Sequence, residues 1–133
     1  MIRVVLDTNV VVSALLRPDG LQAIVLLLAL RGDIELCVSE AVLAEYEKVL
    51  HRPRFKFPSS EIDRNLAAIR AAGKMVRPST RLTESSDESD NRIYECAEAA
   101  AADFIVTGNT RHFKKPYKNT QIVNGRQLLD LLV

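Results

Sequence analysis

The stretch Val4-Val5-Leu6-Asp7-Thr8-Asn9 decides how this chain is read. A short apolar run, β-branched residues then leucine, turns abruptly acidic and polar. A run apolar on both faces suits a strand covered by helices on both sides. Its acidic end suits the carboxyl edge of an open parallel α/β sheet, where ligands bind. Asp7 thus stands where a functional carboxylate is expected. A second reading stays open: Asp7 or Thr8 merely caps the helix that follows.

Outward from this stretch, strands and helices alternate. Residues 3–6 read as a strand, 10–16 as the start of a helix, and Arg17-Pro18-Asp19-Gly20 as a turn that breaks it. A second helix covers 21–31, with Gly32 as its stop. Residues 34–38 form a strand, and Ser39 caps a helix over 40–50 that ends at Arg52-Pro53. The basic loop 52–58 leads to a helix over 60–72 and a short strand over 74–77. The very polar segment 78–89 reads as a loop, followed by an alanine-rich helix over 90–102. A strand over 104–107, a turn at 108–110, a basic segment 111–118, a strand over 121–123 and a helix over 126–132 complete the chain. This alternation predicts a three-layer α/β/α sandwich around a mainly parallel sheet of about five strands.

The 133 residues suit a single domain, 1–133. Nearly half are apolar, enough for a real core, and 18 basic residues balance 17 acidic ones. Bulk charge therefore neither demands nor excludes a polyanionic partner, and local clusters matter more. Cys37 and Cys96 lack metal-ligand spacing and read as free buried thiols of a cytoplasmic protein. No signal peptide is visible. The apolar run 21–30 is about half the length of a membrane span. It predicts either a helix buried nearly all round or one lent to an oligomer interface.

In a parallel sheet, Asp7 shares its edge with the start of the 40–50 helix. At about 100° per residue, Val42, Tyr46, Val49 and Leu50 share one face, with Glu45 on its border. Glu45 either reaches toward the edge or is solvated. On the 90–102 helix, Ile93, Tyr94, Ala97 and Ala101 form the buried face and Asp90 opens it. An ionised Asp aimed inward needs compensation; the helix dipole offers some and a cation more. The N-cap falls to Asp87 or Ser89. Asp7, Glu45 and Asp90, with Asp87 close by, can thus converge on one edge. Such clustering favours a hard divalent ion and fits phosphodiester hydrolysis by a metal-activated water.

These residues resemble a known family. Leu6-Asp7-Thr8-Asn9-Val10 is similar to the opening of PIN-domain nucleases. Ser39-Glu40 with Glu45-Tyr46, the segment Asp87-Glu88-Ser89-Asp90-Asn91-Arg92, and Ala102-Asp103-Phe104-Ile105-Val106-Thr107-Gly108-Asn109 are similar to its later acidic sites, in order. The branch resembled is the toxin-like (VapC-like) one of type II toxin–antitoxin systems. The resemblance implies a Mg²⁺- or Mn²⁺-dependent ribonuclease, usually a homodimer, inhibited by a small antitoxin in its active-site groove. It implies Asp7, Glu45 and Asp90 as catalytic, metal-binding acids, with Asp7 and Asp90 the most direct ligands. Thr8 and Asn9 would fix Asp7 and nearby waters, and Thr107 would add a hydroxyl. The family often has an acid where this chain has Asn109. Asn can still ligate or orient water, but without charge, so a second cation would bind more weakly. Asp103 precedes its strand and is expected at the far edge of the sheet.

Two basic clusters remain. Arg52, Arg54 and Lys56 alternate with Phe55 and Phe57, and read as structure or partner contact. Arg111, His112, Lys114, Lys115 and Lys118, with Phe113 and Tyr117, follow the 104–107 strand directly and read as an RNA contact. His112 suits phosphate contact better than general base catalysis. Two alternatives stand beside the nuclease. One is a catalytically weak PIN-like module that binds RNA or antitoxin, motivated by Asn109. The other is a phospho-acceptor receiver domain, disfavoured because the middle strand, taken as 74–77, ends at Arg77-Pro78 with no Asp.

Overall fold

The computed structural model describes all residues except 86, 112, 114, 115 and 133. Five strands, β1 (Arg3–Leu6), β2 (Glu35–Val38), β3 (Lys74–Met75), β4 (Phe104–Val106) and β5 (Gln121–Val123), form one sheet. Its order is β3-β2-β1-β4-β5 and every neighbouring pair is parallel. The α/β expectation therefore holds. β1 lies at the centre, and Val4, Val5 and Leu6 are fully buried, as a strand covered on both faces requires.

The helices are α1 (Thr8–Leu16), α2 (Leu21–Arg31), α3 (Glu40–Leu50), α4 (Ser59–Ala72), α5 (Glu88–Ala100) and α6 (Gly125–Leu131). From β1 the chain moves outward to β2 and β3 through α1–α2 and α3–α4. It then returns through α5, which packs on β1, β2 and β4. Parallel crossovers are right-handed, so this reversal puts α5 on the opposite face. The reversal also makes the gap between β1 and β4 the switch point of the sheet, where doubly wound folds bind ligands.

Strand order also changes one reading. Residues 74–75 form an edge strand, and the middle strand is β1, which ends at Asp7. The order differs from the 2-1-3-4-5 of receiver-type sheets, so the phospho-acceptor alternative falls on topology.

Several boundaries differ from the sequence reading for local reasons. α1 begins at Thr8, two residues early, because Asp7 itself is the N-cap. α5 begins at Glu88 because Asp87, not Ser89, is its cap. It ends where Ala101 enters the left-handed region at φ 50°, so Ala101 leaves the buried face while Ala100 and Ala102 fill it. A short 3-10 turn, Pro53–Phe55, sits in the basic loop. α2 is not buried all round: Val25, Leu26 and Ala29 face the core, while Ile24 (47%) and Leu27 (52%) are exposed. No single helix among the described residues is long and apolar enough to cross a membrane.

Candidate active site

Asp7 follows β1 directly and is only 7% exposed. Its backbone N–H continues the sheet, donating to the Val106 carbonyl at 2.8 Å. One carboxylate oxygen accepts from the Thr8 N–H at 2.8 Å, and the other from the Thr107 hydroxyl at 2.8 Å. Thr107, fully buried, is the residue after β4, so a neighbouring strand orients the carboxylate. The two readings of Asp7 are compatible: it caps α1 and lies at the switch point of the sheet.

α3 crosses this edge. Its cap Ser39 follows β2 and accepts the Val42 N–H at 3.2 Å, while farther along the helix Tyr46 donates to the Leu6 carbonyl, one residue before Asp7. Tyr46 is completely buried, and burial above all, with the Cys96 and Asp7 charges behind it, holds its hydroxyl well above the usual phenol range. It stays protonated and serves as a fixed donor. As expected, Val42, Tyr46, Val49 and Leu50 pack inward. Glu45 lies half-buried beside Tyr46, with no hydrogen bond or ion pair from its carboxylate among the described residues.

Asp90 is 6% exposed on the first turn of α5. α5 ends just before β4 begins, so its N-terminus, and Asp90 with it, lies at the carboxyl edge. Burial, then the charges of Asp90 and Glu84, raises the Tyr94 hydroxyl one turn on. Asp87 caps the helix, accepting from the Ser89 N–H at 2.9 Å and the Ser89 hydroxyl at 2.7 Å. Sequence reasoning missed the residues that support this turn: Asn91, Arg92 and Glu95 all bond to the incoming 82–85 segment or to one another. The available signal was Asn91 and Glu95 at helical spacing beside a polar loop whose backbone needed partners.

Beyond β4, Asn9 accepts the Gly108 N–H at 3.0 Å, tying the first turn of α1 to the turn after β4. Asn109 donates its backbone N–H to the Thr107 hydroxyl at 3.1 Å, and its amide oxygen accepts the Arg111 N–H at 3.1 Å. Its side chain thus shapes the turn. Asp103 lies at the opposite edge, accepting the Arg3 N–H at 2.9 Å, as its position before the strand requires.

The basic cluster after β4 divides. Arg111 is exposed, whereas His112, Lys114 and Lys115 lie outside the described residues. Phe113 is buried edge-on against Tyr94 at 5.3 Å, and Tyr117 also meets Tyr94 edge-on at 5.8 Å. Tyr117 and Lys118 both bond Glu98, at 2.8 and 3.0 Å. Phe113 is therefore a core anchor rather than a platform for stacking bases. In the other cluster, Phe55 and Phe57 stack at 5.9 Å and pack half-buried on the core, while Arg54 lies over Phe55 at 4.9 Å. Both cysteines are free and buried, and burial pushes Cys37 up to about 11 and Cys96 up to about 12. At neutral pH they are poor nucleophiles.

Among the described residues, no group of three or more His, Cys, Asp or Glu side chains is placed to hold a metal ion. A closed cage of protein ligands is therefore not what these residues build. Mg²⁺ does not ask for one, taking one or two carboxylates together with waters and substrate phosphate. Two buried carboxylates at one edge, one of them oriented by a hydroxyl and a backbone N–H, fit that open kind of site.

Comparison with known proteins agrees with the geometry. An uncharacterized protein of Methanocaldococcus jannaschii, MJ1680, is 32% identical over 111 residues, covering 81% of this chain and 71% of that protein. Among solved structures, VapBC2 from Rickettsia felis bound to a DNA fragment from their promoter matches with a TM-score of 0.64. That match covers 92% of this chain and 98% of the other at 19% identity, and shows a shared fold. The family model described as PIN domain matches residues 3–111, from the first strand through the turn after β4. The chain belongs to the PIN domain family.

Proposed function

We propose that this protein is a Mg²⁺- or Mn²⁺-dependent endoribonuclease, the toxin of a toxin–antitoxin pair. One observation carries the reading: Asp7 and Asp90, far apart in sequence, are both more than nine-tenths buried at the carboxyl edge of one sheet. Burying two acids at one edge is costly without a cation. Asp7 and Asp90 would hold the ion, and Glu45, which is not grouped with them, would act on it through water. When bound, the ion supplies a more acidic water and neutralises charge gathering on the phosphate. The Thr107 hydroxyl and Thr8 N–H keep the Asp7 carboxylate in one orientation. Asn9 and Asn109 shape the turn beside it, and Asp87 secures the start of α5. Arg111, with His112, Lys114 and Lys115 close to it in sequence, would contact RNA phosphates.

The fold shared with a VapBC2 complex supports a small antitoxin as partner. The exposed Ile24 and Leu27 on α2 support self-association of the chain as a homodimer. A cytoplasmic location follows from the RNA substrate. A second reading, a catalytically weak module that binds RNA or antitoxin, is favoured by Asn109, whose amide oxygen is already engaged by Arg111.

Labelled single-stranded RNA incubated with the purified protein separates these readings. The nuclease reading expects cleavage in Mg²⁺ or Mn²⁺ that stops on chelation. Binding without cleavage in any divalent metal supports the weak module, and neither binding nor cleavage sinks both.

A further inference from the structure

Among the described residues between β3 and α5 none belongs to a helix or strand, yet Leu82 is buried and Ser85 half-buried. The backbone groups of such a segment need partners inside the protein. Two side chains one turn apart on α5 supply them. Asn91, fully buried, accepts the Ser85 N–H at 2.8 Å and donates to the Ser85 carbonyl at 2.8 Å, much as a neighbouring strand would. Glu95 accepts the Leu82 N–H at 2.8 Å and Arg92 at 2.7 Å, a largely buried ion pair. Glu88 closes the group, accepting Arg92 at 3.1 Å and Asn91 at 3.3 Å.

The same segment continues into the helix start. The Ser85 hydroxyl accepts the Asp87 N–H at 3.1 Å, and Asp87 caps α5 through Ser89. The Asn91 N–H in turn donates to the Asp87 carbonyl at 3.2 Å. Contacts therefore run in a ring from Asn91 through Ser85 to Asp87 and back, and Asp90 stands in sequence between Asp87 and Asn91. The first N–H groups of a helix have no carbonyl acceptors within it, and the turn frays unless something holds it.

We propose that Asn91, supported by Glu95, is a positioning residue that fixes Asp87 and Asp90 at the sheet edge and so sets how tightly the acid pair binds a divalent ion. The inference rests on the metal-dependent reading above. Groups that hydrogen-bond around metal ligands govern affinity by about 10- to 100-fold, and Asn91 holds the segment on which the Asp90 turn depends.

The test is Mn²⁺ binding to the protein alone by electron paramagnetic resonance, with kcat and KM on RNA and the thermal midpoint measured alongside. Asn91→Ala is expected to weaken Mn²⁺ binding by about 10- to 100-fold. It should lower kcat while leaving KM for RNA unchanged, and added Mn²⁺ should restore kcat. Ser85→Ala, which removes one hydrogen bond at a half-buried site, should weaken binding by about 2- to 10-fold. It serves alone if Asn91→Ala does not fold. Variants that lower the thermal midpoint but bind Mn²⁺ as the unmodified protein does overturn the proposal and leave the nuclease reading standing. An unmodified protein that binds no Mn²⁺ overturns both.

Discussion

Asp7 and Asp90 are buried to nearly the same degree, 7% and 6%, but are held by different means. Asp7 is fixed by its own chain and the next strand: a sheet hydrogen bond to Val106, the N–H of Thr8 and the hydroxyl of Thr107. Asp90 stands on a helix start that is tied to an irregular segment, which Asn91 and Glu95 of the same helix grip. Equal burial thus hides unequal sensitivity. A strand-end acid has few neighbours that can loosen it, and a helix-start acid depends on every contact of the segment leading into it.

Direct replacement tests whether the two acids nonetheless act as one site. Asp7→Asn is expected to reduce metal-dependent cleavage by at least about 100-fold, since even residues behind a metal ligand cost 10 to 100. The thermal midpoint should stay close to that of the unmodified protein, because Asn caps a helix as well as Asp does. Asp90→Asn should match that loss in cleavage without lowering the metal-free thermal midpoint, because the lost helix-dipole interaction, roughly 0.3–1 kcal/mol, is offset by removing one of two buried like charges. Substantial activity in Asp90→Asn alone would mean that the two acids are not equivalent ligands. Thr107→Val removes the hydroxyl that orients Asp7 and should reduce cleavage by about 10-fold. A Thr107→Val variant as active as the unmodified protein would show that Asp7 needs no such support. The smallest effect is expected from Asn109→Asp, which adds a carboxylate near the edge and should tighten Mn²⁺ binding by roughly a few-fold. Unchanged affinity in a calorimetric titration would show that this position does not take part.

What was legible in the sequence follows the same division. β1 and Asp7 could be read because an apolar run that stops at an acid is a local pattern. The face of α3 could be read because Val42, Tyr46, Val49 and Leu50 keep helical period. Asp90 was placed on a first turn correctly, but Asp87 and Ser89 were both chemically able to cap it, and only the fold chose Asp87. Strand order was not legible: periodicity says that residues 74–77 can be a strand, not that β3 ends up at an edge. Nor was the grip of Glu95 on Leu82, since a polar loop has no period to match to a helix face. The segment after β4, with its aromatic residues, read as an RNA contact because cations beside rings also suit single-stranded RNA, and packing against Tyr94 settled Phe113 as core.

The most direct test of the account is Mn²⁺ binding, by electron paramagnetic resonance in the absence of RNA, to the unmodified protein and to Asp7→Asn and Asp90→Asn. Two acids that serve one ion predict binding in the unmodified protein and its loss in each variant separately. Retention of the unmodified affinity by either folded variant would contradict a shared site.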